Sequence, residues 1–372
     1  MYPLRELPGP WRVLGLMSGT SADGVDAAMV EVDPVGFQGG RPFVSLLGHR
    51  HSAYPTALQE SVLAAAGDRL SPSELCILQR RLGDHHAEAG AALCQSLKLK
   101  PTLAALHGQT VQHRPEQGAT LQLADPFVLV ERLNCPVVWD LRRRDLALGG
   151  QGAPLVPLTE LWLRGRGAPW LALNLGGIAN VTVWDGSRVH AWDLGPGMSL
   201  LDLAARRWLG SPFDPEGAYA SGAVDEALLA RWRAHPHFEA TPPKSTGRET
   251  FGAAWLEAEL PSLEPHPLED RLATLAAFTA EAARLELTRL SLPPDLPGLL
   301  SGGGARHQRV RLELAQRLPS IAWGDDDPFP PGAREAVSWA LLGAASACGV
   351  PGHLPEVTGA ARSAVLGAWV WP

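Results

Sequence analysis

The chain has no basic block. Its densest cationic stretch is Arg142-Arg143-Arg144, bracketed by Asp140 and Asp145, and the formal net charge is −7. A nucleic-acid backbone would find nothing to neutralise its phosphates, so no nucleic-acid partner is expected. Cysteine is scarce. Cys76, Cys94, Cys135 and Cys348 stand far apart with no CxxC spacing, which argues against a disulfide framework or a zinc site and reads as buried free thiols in a reducing compartment. No apolar run reaches membrane-spanning length without Gly, Pro or charge, so no membrane partner is expected. The first residues, MYPLRELPGPW, lack the basic start and apolar core of a secretory signal, and the location expected is the cytoplasm. Metal-ligand patterns are missing too. His85 and His86 are adjacent and point apart on a helix, while Asp325-Asp326-Asp327 lacks EF-hand spacing and reads as a solvated loop.

What is present suits two interiors rather than one: 372 residues, of which 45% are hydrophobic. The thirteen tryptophans are scattered and read as core and interface. The most informative stretch is Leu14–Asp33. An apolar strand (Val13–Met17) meets a small-residue turn, Ser18-Gly19-Thr20-Ser21. Asp23, Gly24 and Asp26 follow, and then a second strand (Ala27–Val32). Glycine lets backbone N–H groups approach an anion, hydroxyls add donors, and carboxylates suit a hydrated Mg²⁺ over a polyphosphate. An ordinary hairpin with a Gly turn is the competing reading of this stretch alone.

Helices are expected over Pro55–Ala66 and Ser71–Leu97, the second capped by Ser71 with Pro72 in its first turn. Thr102–His107 reads as a strand ending at Gly108-Gln109-Thr110. Leu121–Leu123 and Pro136–Trp139 read as short strands on either side of a helix over Pro126–Leu133. The Gly/Pro-rich Leu146–Pro157 reads as an interdomain crossing, followed by a helix over Leu158–Arg164. The opening pattern then recurs as strand Trp170–Leu175, turn Gly176-Gly177 and return strand Val181–Trp184. Two such hairpins, one near the start of each half, point to a nucleotide cleft between duplicated domains. Beyond them, helices are expected over Ser199–Leu209, Asp225–Ala234, Leu268–Leu290, Arg309–Leu318 and Arg334–Ala347, with a strand (Pro297–Ser301) running into Gly302-Gly303-Gly304. A triple glycine before a helix lets a flat ring or a phosphate lie on bare backbone. Ala361–Trp369 reads as a short final element.

Taken together, GLMSGTSADGVD (Gly15–Asp26), HGQTVQHRP (His107–Pro115), DLRRRDLALGGQGAPLVP (Asp140–Pro157), LNLGGIANVT (Leu173–Thr182), DLGPGMSLLD (Asp193–Asp202), PFDPEGAYASG (Pro212–Gly222), PPKSTGRETFG (Pro242–Gly252), SGGGARH (Ser301–His307) and EVTGA (Glu356–Ala360) resemble the anhydro-N-acetylmuramic acid kinase family. The segments span nearly the whole chain in the family's order. The resemblance implies membership of the sugar kinase/Hsp70/actin superfamily: an α/β fold of two duplicated actin-like (ribonuclease H-like) domains with a nucleotide cleft between them. The domains expected are 1–145 with 355–372, and 146–354. The reaction implied is ATP-dependent hydrolytic opening of 1,6-anhydro-N-acetylmuramic acid to N-acetylmuramic acid 6-phosphate and ADP, in bacterial peptidoglycan recycling. ATP and Mg²⁺ are the implied cofactors, the amino sugar and ATP the partners, and a homodimer is left open.

Asp193 is chosen as the general base. It ends a strand-like run before Gly195-Pro196-Gly197, where a carboxylate can take a proton from attacking water. The family pattern DTGPGN stands here as Asp-Leu-Gly-Pro-Gly-Met, so the departures at Leu194 and Met198 bear on substrate hydrogen bonding. The ATP site expected comprises Gly19, Thr20, Ser21, Ala22, Asp23, Gly24, Val25 and Asp26 from the first hairpin, Gly176, Gly177 and Asn180 from the second, and Gly302, Gly303 and Gly304 under the adenosine. Asp23 is expected to hold Mg²⁺ through water, while Asp26 serves the site or holds the hairpin. Arg142 is the first choice for the lactyl carboxylate, since a guanidinium forks onto such an anion; Arg143 and Arg144 have Asp140 and Asp145 as competing partners. His107, Gln109 and Thr110 are assigned to the sugar or the cleft wall, a buried structural role for His107 standing beside this. Glu335, by resemblance, reaches the sugar or the water, against the plainer reading of a charge at a helix start. The alternatives are a non-catalytic sugar or nucleotide sensor on the same fold and a kinase for another amino sugar.

Overall fold

Two β-sheets with one strand order organise the chain. The computed structural model describes residues 9–19, 21–242, 244–324, 329–330 and 332–372; Thr20 and the acidic run Asp325-Asp326-Asp327 lie outside them. The strands are β1 (Trp11–Ser18), β2 (Gly24–Val32), β3 (Val44–Ala53), β4 (Leu103–Arg114), β5 (Ala119–Leu123), β6 (Val137–Trp139), β7 (Trp170–Leu175), β8 (Ile178–Trp184), β9 (Val189–Pro196), β10 (Leu296–Ser301), β11 (Ile321–Gly324) and β12 (Ala368–Val370).

The first sheet runs β12-β6-β4-β1-β2-β3, with β5 paired to β4. β1 and β2 are antiparallel, as are β2 and β3, whereas β4 runs parallel to both β1 and β6. The second sheet runs β11-β10-β7-β8-β9 with the same senses: β7–β8 and β8–β9 antiparallel, β10 parallel to β7 and to β11. In each, the third, second and first strands form a meander and two parallel strands continue from the first. This is the ribonuclease H-like order of actin-like domains, present twice.

The compact units are 1–165 with 332–372, and 166–331. The expected borders at 145/146 and 354/355 therefore shift. Leu146–Pro157 is no crossing, because it belongs to the first unit along with the helix Val156–Arg164. The helix Arg334–Cys348 belongs there as well: it lies on β1 so closely that a Cβ on Gly15 would fall on Ala336 O, and one on Gly343 would press on Ala105. The opposite face of this sheet buries Leu14, Leu16 and Leu106 against helices Thr56–Ala66, Pro72–Leu97 and Pro126–Leu133. Ser71 caps the second of these in a full capping box with Glu74. In the second unit, the core of β7–β9 packs with helices Ser199–Trp208, Glu226–Trp232, Ala253–Leu263, Leu268–Leu287 and Gln308–Arg317.

Two further expectations are corrected. The strand expected over Thr102–His107 continues through Gly108-Gln109-Thr110 to Arg114, because β5 pairs with its far half. All four cysteines are free, yet only Cys135 is buried, its thiol pushed up to about 12 by burial. Cys76 is exposed on its helix, and Cys94 and Cys348 are half-buried.

Candidate functional site

The first unit carries a turn braced from behind. After β1, Ala22 N–H donates back to Gly19 O at 3.2 Å, and Ala22 sits at φ +54° with its side chain buried. Ser21 and Asp23 are exposed, Ser21 Oγ donating to Asp23 Oδ1 at 2.8 Å. Gly24, Val25 and Asp26 already belong to β2, with Asp26 opposite Met17.

Ser18 Oγ, beneath this turn, lies 2.8 Å from the Tyr54 hydroxyl and 2.9 Å from His86 Nε2. His86 Nδ1 stands 2.7 Å from Leu82 O, which only accepts, so Nδ1 bears the proton and Nε2 accepts from Ser18. Burial pushes His86 down to about 4 and keeps the ring neutral. The Tyr54 hydroxyl reaches Gln109 Oε1 at 3.2 Å, while Gln109 Nε2 donates to Gly19 O at 3.0 Å. His107 Nδ1 donates to Ser18 O at 3.1 Å, and Tyr54 N–H to Asp23 O at 2.9 Å. Two side chains of β4 and the Tyr54 N–H thus fix the backbone of the turn, while Tyr54 and His86 hold the Ser18 hydroxyl. His107 and Gln109 were legible in the sequence; Tyr54 and His86 were missed, and Ser18, expected in the turn as a donor, ends β1 with its hydroxyl on those two side chains. A signal for His86 exists, since it continues the buried stripe Leu78, Leu82, Gly90, Leu93 of its helix.

His107 also aims Arg142. Its Nε2 accepts from Arg142 Nε at 3.2 Å and Nη2 at 3.0 Å, and Arg142 Nη1 donates to Gly152 O at 2.9 Å. The guanidinium lies over Trp339, 5.0 Å from the ring centroid, with the His107 ring edge-on to the same indole. Burial, then the Arg142 charge, holds His107 well below its ordinary value, as an acceptor ring requires. Burial pushes Arg142 down to about 10 against the charges of Glu335 and Asp145, so it is a cation at neutral pH. Gly152 is held in turn by Asp145, buried, which accepts from Gly152 N–H at 2.7 Å, from Thr358 Oγ1 at 2.6 Å and from His353 Nδ1. Burial works to raise the Asp145 carboxyl, but these three donors outweigh it and hold the group below its ordinary value. Arg143 turns away, pairing with Asp140 and lying over Trp139, and Arg144 is exposed. Thr110 accepts from Gln122 Nε2 at 3.2 Å across the β4–β5 pair.

Glu335 sits in the first turn of Arg334–Cys348. Burial raises its carboxyl, and so do the charges of Asp26 and Asp23, with Arg142 opposing. Those three acids therefore share one region of the first unit. Asp26 Oδ1 also meets His49 Nε2 at 3.0 Å and His51 Nδ1 at 3.2 Å on β3. Among the described residues no three His, Cys, Asp or Glu side chains form a cage able to hold a metal ion. The oxygen donors here fit a cation that keeps most of its water and takes phosphate oxygens, as Mg²⁺ does.

The second unit carries a turn of another make. Gly176 O accepts from Met198 N–H at 2.7 Å, and Gly177 O accepts from Gly197 and Ser199 N–H, both at 3.0 Å. Its carbonyls are thus spent on the start of the helix Ser199–Trp208. Gly302, at φ +80°, and Gly304 press on Leu175, Gly304 also on Met198, leaving no room for a Cβ; a Cβ on Gly303 would meet nothing within 4 Å. Gly303 is the open position of that loop.

Asp193 sits on β9 opposite Asn180, beside a bulge at Ala179/Asn180. Its Oδ2 accepts from Thr246 N–H at 3.0 Å, and its own N–H donates to Lys244 O at 3.3 Å. Burial pushes the carboxyl up to about 6; the Thr246 N–H opposes this and the Glu249 charge adds to it. Leu194 is buried in the core, since strand alternation turns it to the face opposite Asp193. Met198 packs under Gly304. Both departures from the family pattern are therefore packing residues. Asp202, the last residue of the Asp193–Asp202 motif, is also pushed up to about 6 by burial, against the charges of Arg206 and Arg248.

A family model described as anhydro-N-acetylmuramic acid kinase matches residues 11–372. Proteins bearing that name are similar along their whole length. One from Synechococcus sp. (strain CC9311) is 40% identical, the match covering 97% of this chain and 100% of that protein. One from Parasynechococcus marenigrum (strain WH8102) is 42% identical over 96% and 99%. One from Cupriavidus pinatubonensis (strain JMP 134 / LMG 1197) is 41% identical over 96% and 97%.

Proposed function

Since the chain belongs to the anhydro-N-acetylmuramic acid kinase family, we propose that it uses ATP and water to convert 1,6-anhydro-N-acetylmuramic acid into N-acetylmuramic acid 6-phosphate and ADP, in murein recycling. The observation that carries the catalytic assignment is Asp193. Its carboxylate stands within β9, which runs on to Pro196 rather than ending at Asp193 as expected, has one N–H donor on Oδ2, and is raised to about 6. Such a group is ionised at neutral pH yet basic enough to accept a proton from water.

Asp193 takes a proton as water bonds to the anomeric carbon. The C1–O6 bond breaks, and O6 bonds to the γ-phosphorus as the bond to ADP breaks. Arg142, its Nε and Nη2 on His107 and its Nη1 on Gly152 O, offers its charge and the remaining N–H of each terminal nitrogen to the lactyl carboxylate. Gly19, Ser21 and Asp23 offer donors and a carboxylate to the phosphates, and Gly303 offers bare backbone to the nucleoside. Asp23 would hold Mg²⁺ through water, and the ion when bound neutralises phosphate charge. Glu335, crowded by Asp23 and Asp26, is the acid best placed in the first unit to meet the sugar or the water. This reading puts the enzyme in the cytoplasm, where ATP is at hand.

The test mixes protein, ATP, Mg²⁺ and sugar and follows ADP release and phosphosugar mass. Release with the anhydro sugar, well above that with open N-acetylmuramic acid, is the expected result. A preference for the open sugar would make the enzyme an ordinary sugar kinase, and nucleotide binding with no release would make it a sensor.

A further inference from the structure

The segment Pro242–Gly252 matches the family, and its Thr246 N–H is the donor to Asp193. That segment is pinned at both ends. At one end Thr246 N–H meets Asp193, and the Lys244 side chain is tied by Nζ to Glu286 Oε1 at 2.7 Å and to His237 O at 2.6 Å. At the other, Phe251 is fully buried, its carbonyl accepting from Ser199 Oγ at 2.8 Å, and the Thr250 and Phe251 N–H groups close a turn on Gly247 O. Arg248 rides on this fixed loop, exposed to solvent.

Its guanidinium lies on the Gly176-Gly177 turn: a Cβ built on Gly177 would stand 3.4 Å from both Arg248 Nε and Nη2. The carbonyls of the turn are already taken by Gly197, Met198 and Ser199 N–H, so they do not compete for the cation. Asp202 is the carboxylate that feels its charge. Among the described residues Arg248 has neither a hydrogen bond nor an ion pair of its own. An exposed arginine on a pinned loop, beside a glycine turn and without a protein partner, is placed to take an anion.

We propose that Arg248 contacts the polyphosphate of the nucleotide beside Gly177, and that its loop thereby ties phosphate binding to the position of the Asp193 carboxylate. The proposal rests on the kinase reading for its nucleotide, but its test does not need turnover. Arg248→Met and Arg248→Lys are compared with the parent in calorimetric titrations with β,γ-methylene-ATP, ADP and AMP, and then in the kinase assay. Arg248→Met is expected to weaken the triphosphate analogue by about tenfold to a hundredfold, the effect of losing a charge-assisted hydrogen bond. ADP should weaken less and AMP by under about threefold, with Arg248→Lys recovering part of the loss because it keeps the charge without the fork. In the assay the KM for ATP rises and kcat falls, while the KM for sugar stays close to the parent value. Unchanged affinity for the triphosphate analogue overturns the proposal, as does a loss confined to the KM for sugar, which would assign Arg248 to the sugar carboxylate. If the Arg248 variants lose nucleotide affinity in the expected order but the parent releases no ADP with the anhydro sugar, the kinase reading fails and the Arg248 assignment stands.

Discussion

The two units share a strand order and fix their first turns by different means. In the first, β1 ends in Ser18, and the turn is held from below by the side chains of Tyr54, His86, His107 and Gln109. In the second, β7 ends in Leu175, which is fully buried, and the turn is held by backbone bonds to Gly197, Met198 and Ser199. Duplication preserved topology and left the chemistry to be set separately on each copy. One turn leads into Asp23 and Asp26 and is joined through His107 to Arg142; the other carries the Arg248 guanidinium.

The sharpest way to break this division is Asp193→Asn. It should lower kcat by at least about a hundredfold while leaving nucleotide affinity near the parent's; steady-state rates and titration calorimetry check both. In the parent, kcat/KM should fall as pH drops through about 6, where Asp193 gains its proton. The stability effect has the opposite sense. A carboxyl raised on folding binds its proton more tightly in the native state, so its contribution to stability declines as pH rises from about 4 to about 6. Asp193→Asn should therefore melt higher than the parent at pH 7.5, and the gain should vanish below about pH 4.

Arg142→Lys should come next. A lysine cannot fork onto His107 Nε2 while reaching Gly152 O, so the KM for sugar should rise by about tenfold with the KM for ATP little changed. Ser18→Ala tests whether the polar brace matters to the first turn. It removes a partner from both Tyr54 and His86, and should cost about 1–3 kcal/mol in urea unfolding, with the KM for ATP rising several-fold. Activity equal to the parent's would mean that the bonds from His107 and Gln109 to the backbone of the turn hold it without the Ser18 hydroxyl. The smallest effect belongs to Arg143→Ala, which breaks an exposed pair with Asp140 and should shift stability by under about 1 kcal/mol with kinetics unchanged.

Local pattern carried the sequence reading a long way. Ser71-Pro72-Ser73-Glu74 announces its helix, Asp125-Pro126 starts another, and Trp170–Leu175 is a strand with the bounds expected. β3 escaped because VSLLGHRHSA lacks clean alternation, and with it went the approach of His49 and His51 to Asp26. The helix Ala253–Leu263 and the short β11 escaped as well. The brace under Ser18 was invisible as a unit for a different reason: its members lie far apart along the chain, His107 and Gln109 arriving through the pairing of β4 with β1, Tyr54 at the end of β3 through β2, and His86 on the helix Pro72–Leu97. The domain border was misplaced because Gly and Pro in Leu146–Pro157 signal a bend wherever it occurs. Only the Asp145 bonds to Gly152, His353 and Thr358 reveal that this bend is internal to the first unit.

The interrupted layout of the first unit has a consequence for synthesis. Residues 166–331 form one uninterrupted stretch, whereas the other unit needs the helix Arg334–Cys348 over Gly15 and β12 beside β6. On the ribosome the middle of the protein can finish before the beginning. The earliest-made sheet must wait, its β1 face uncovered, until the tail emerges to close it.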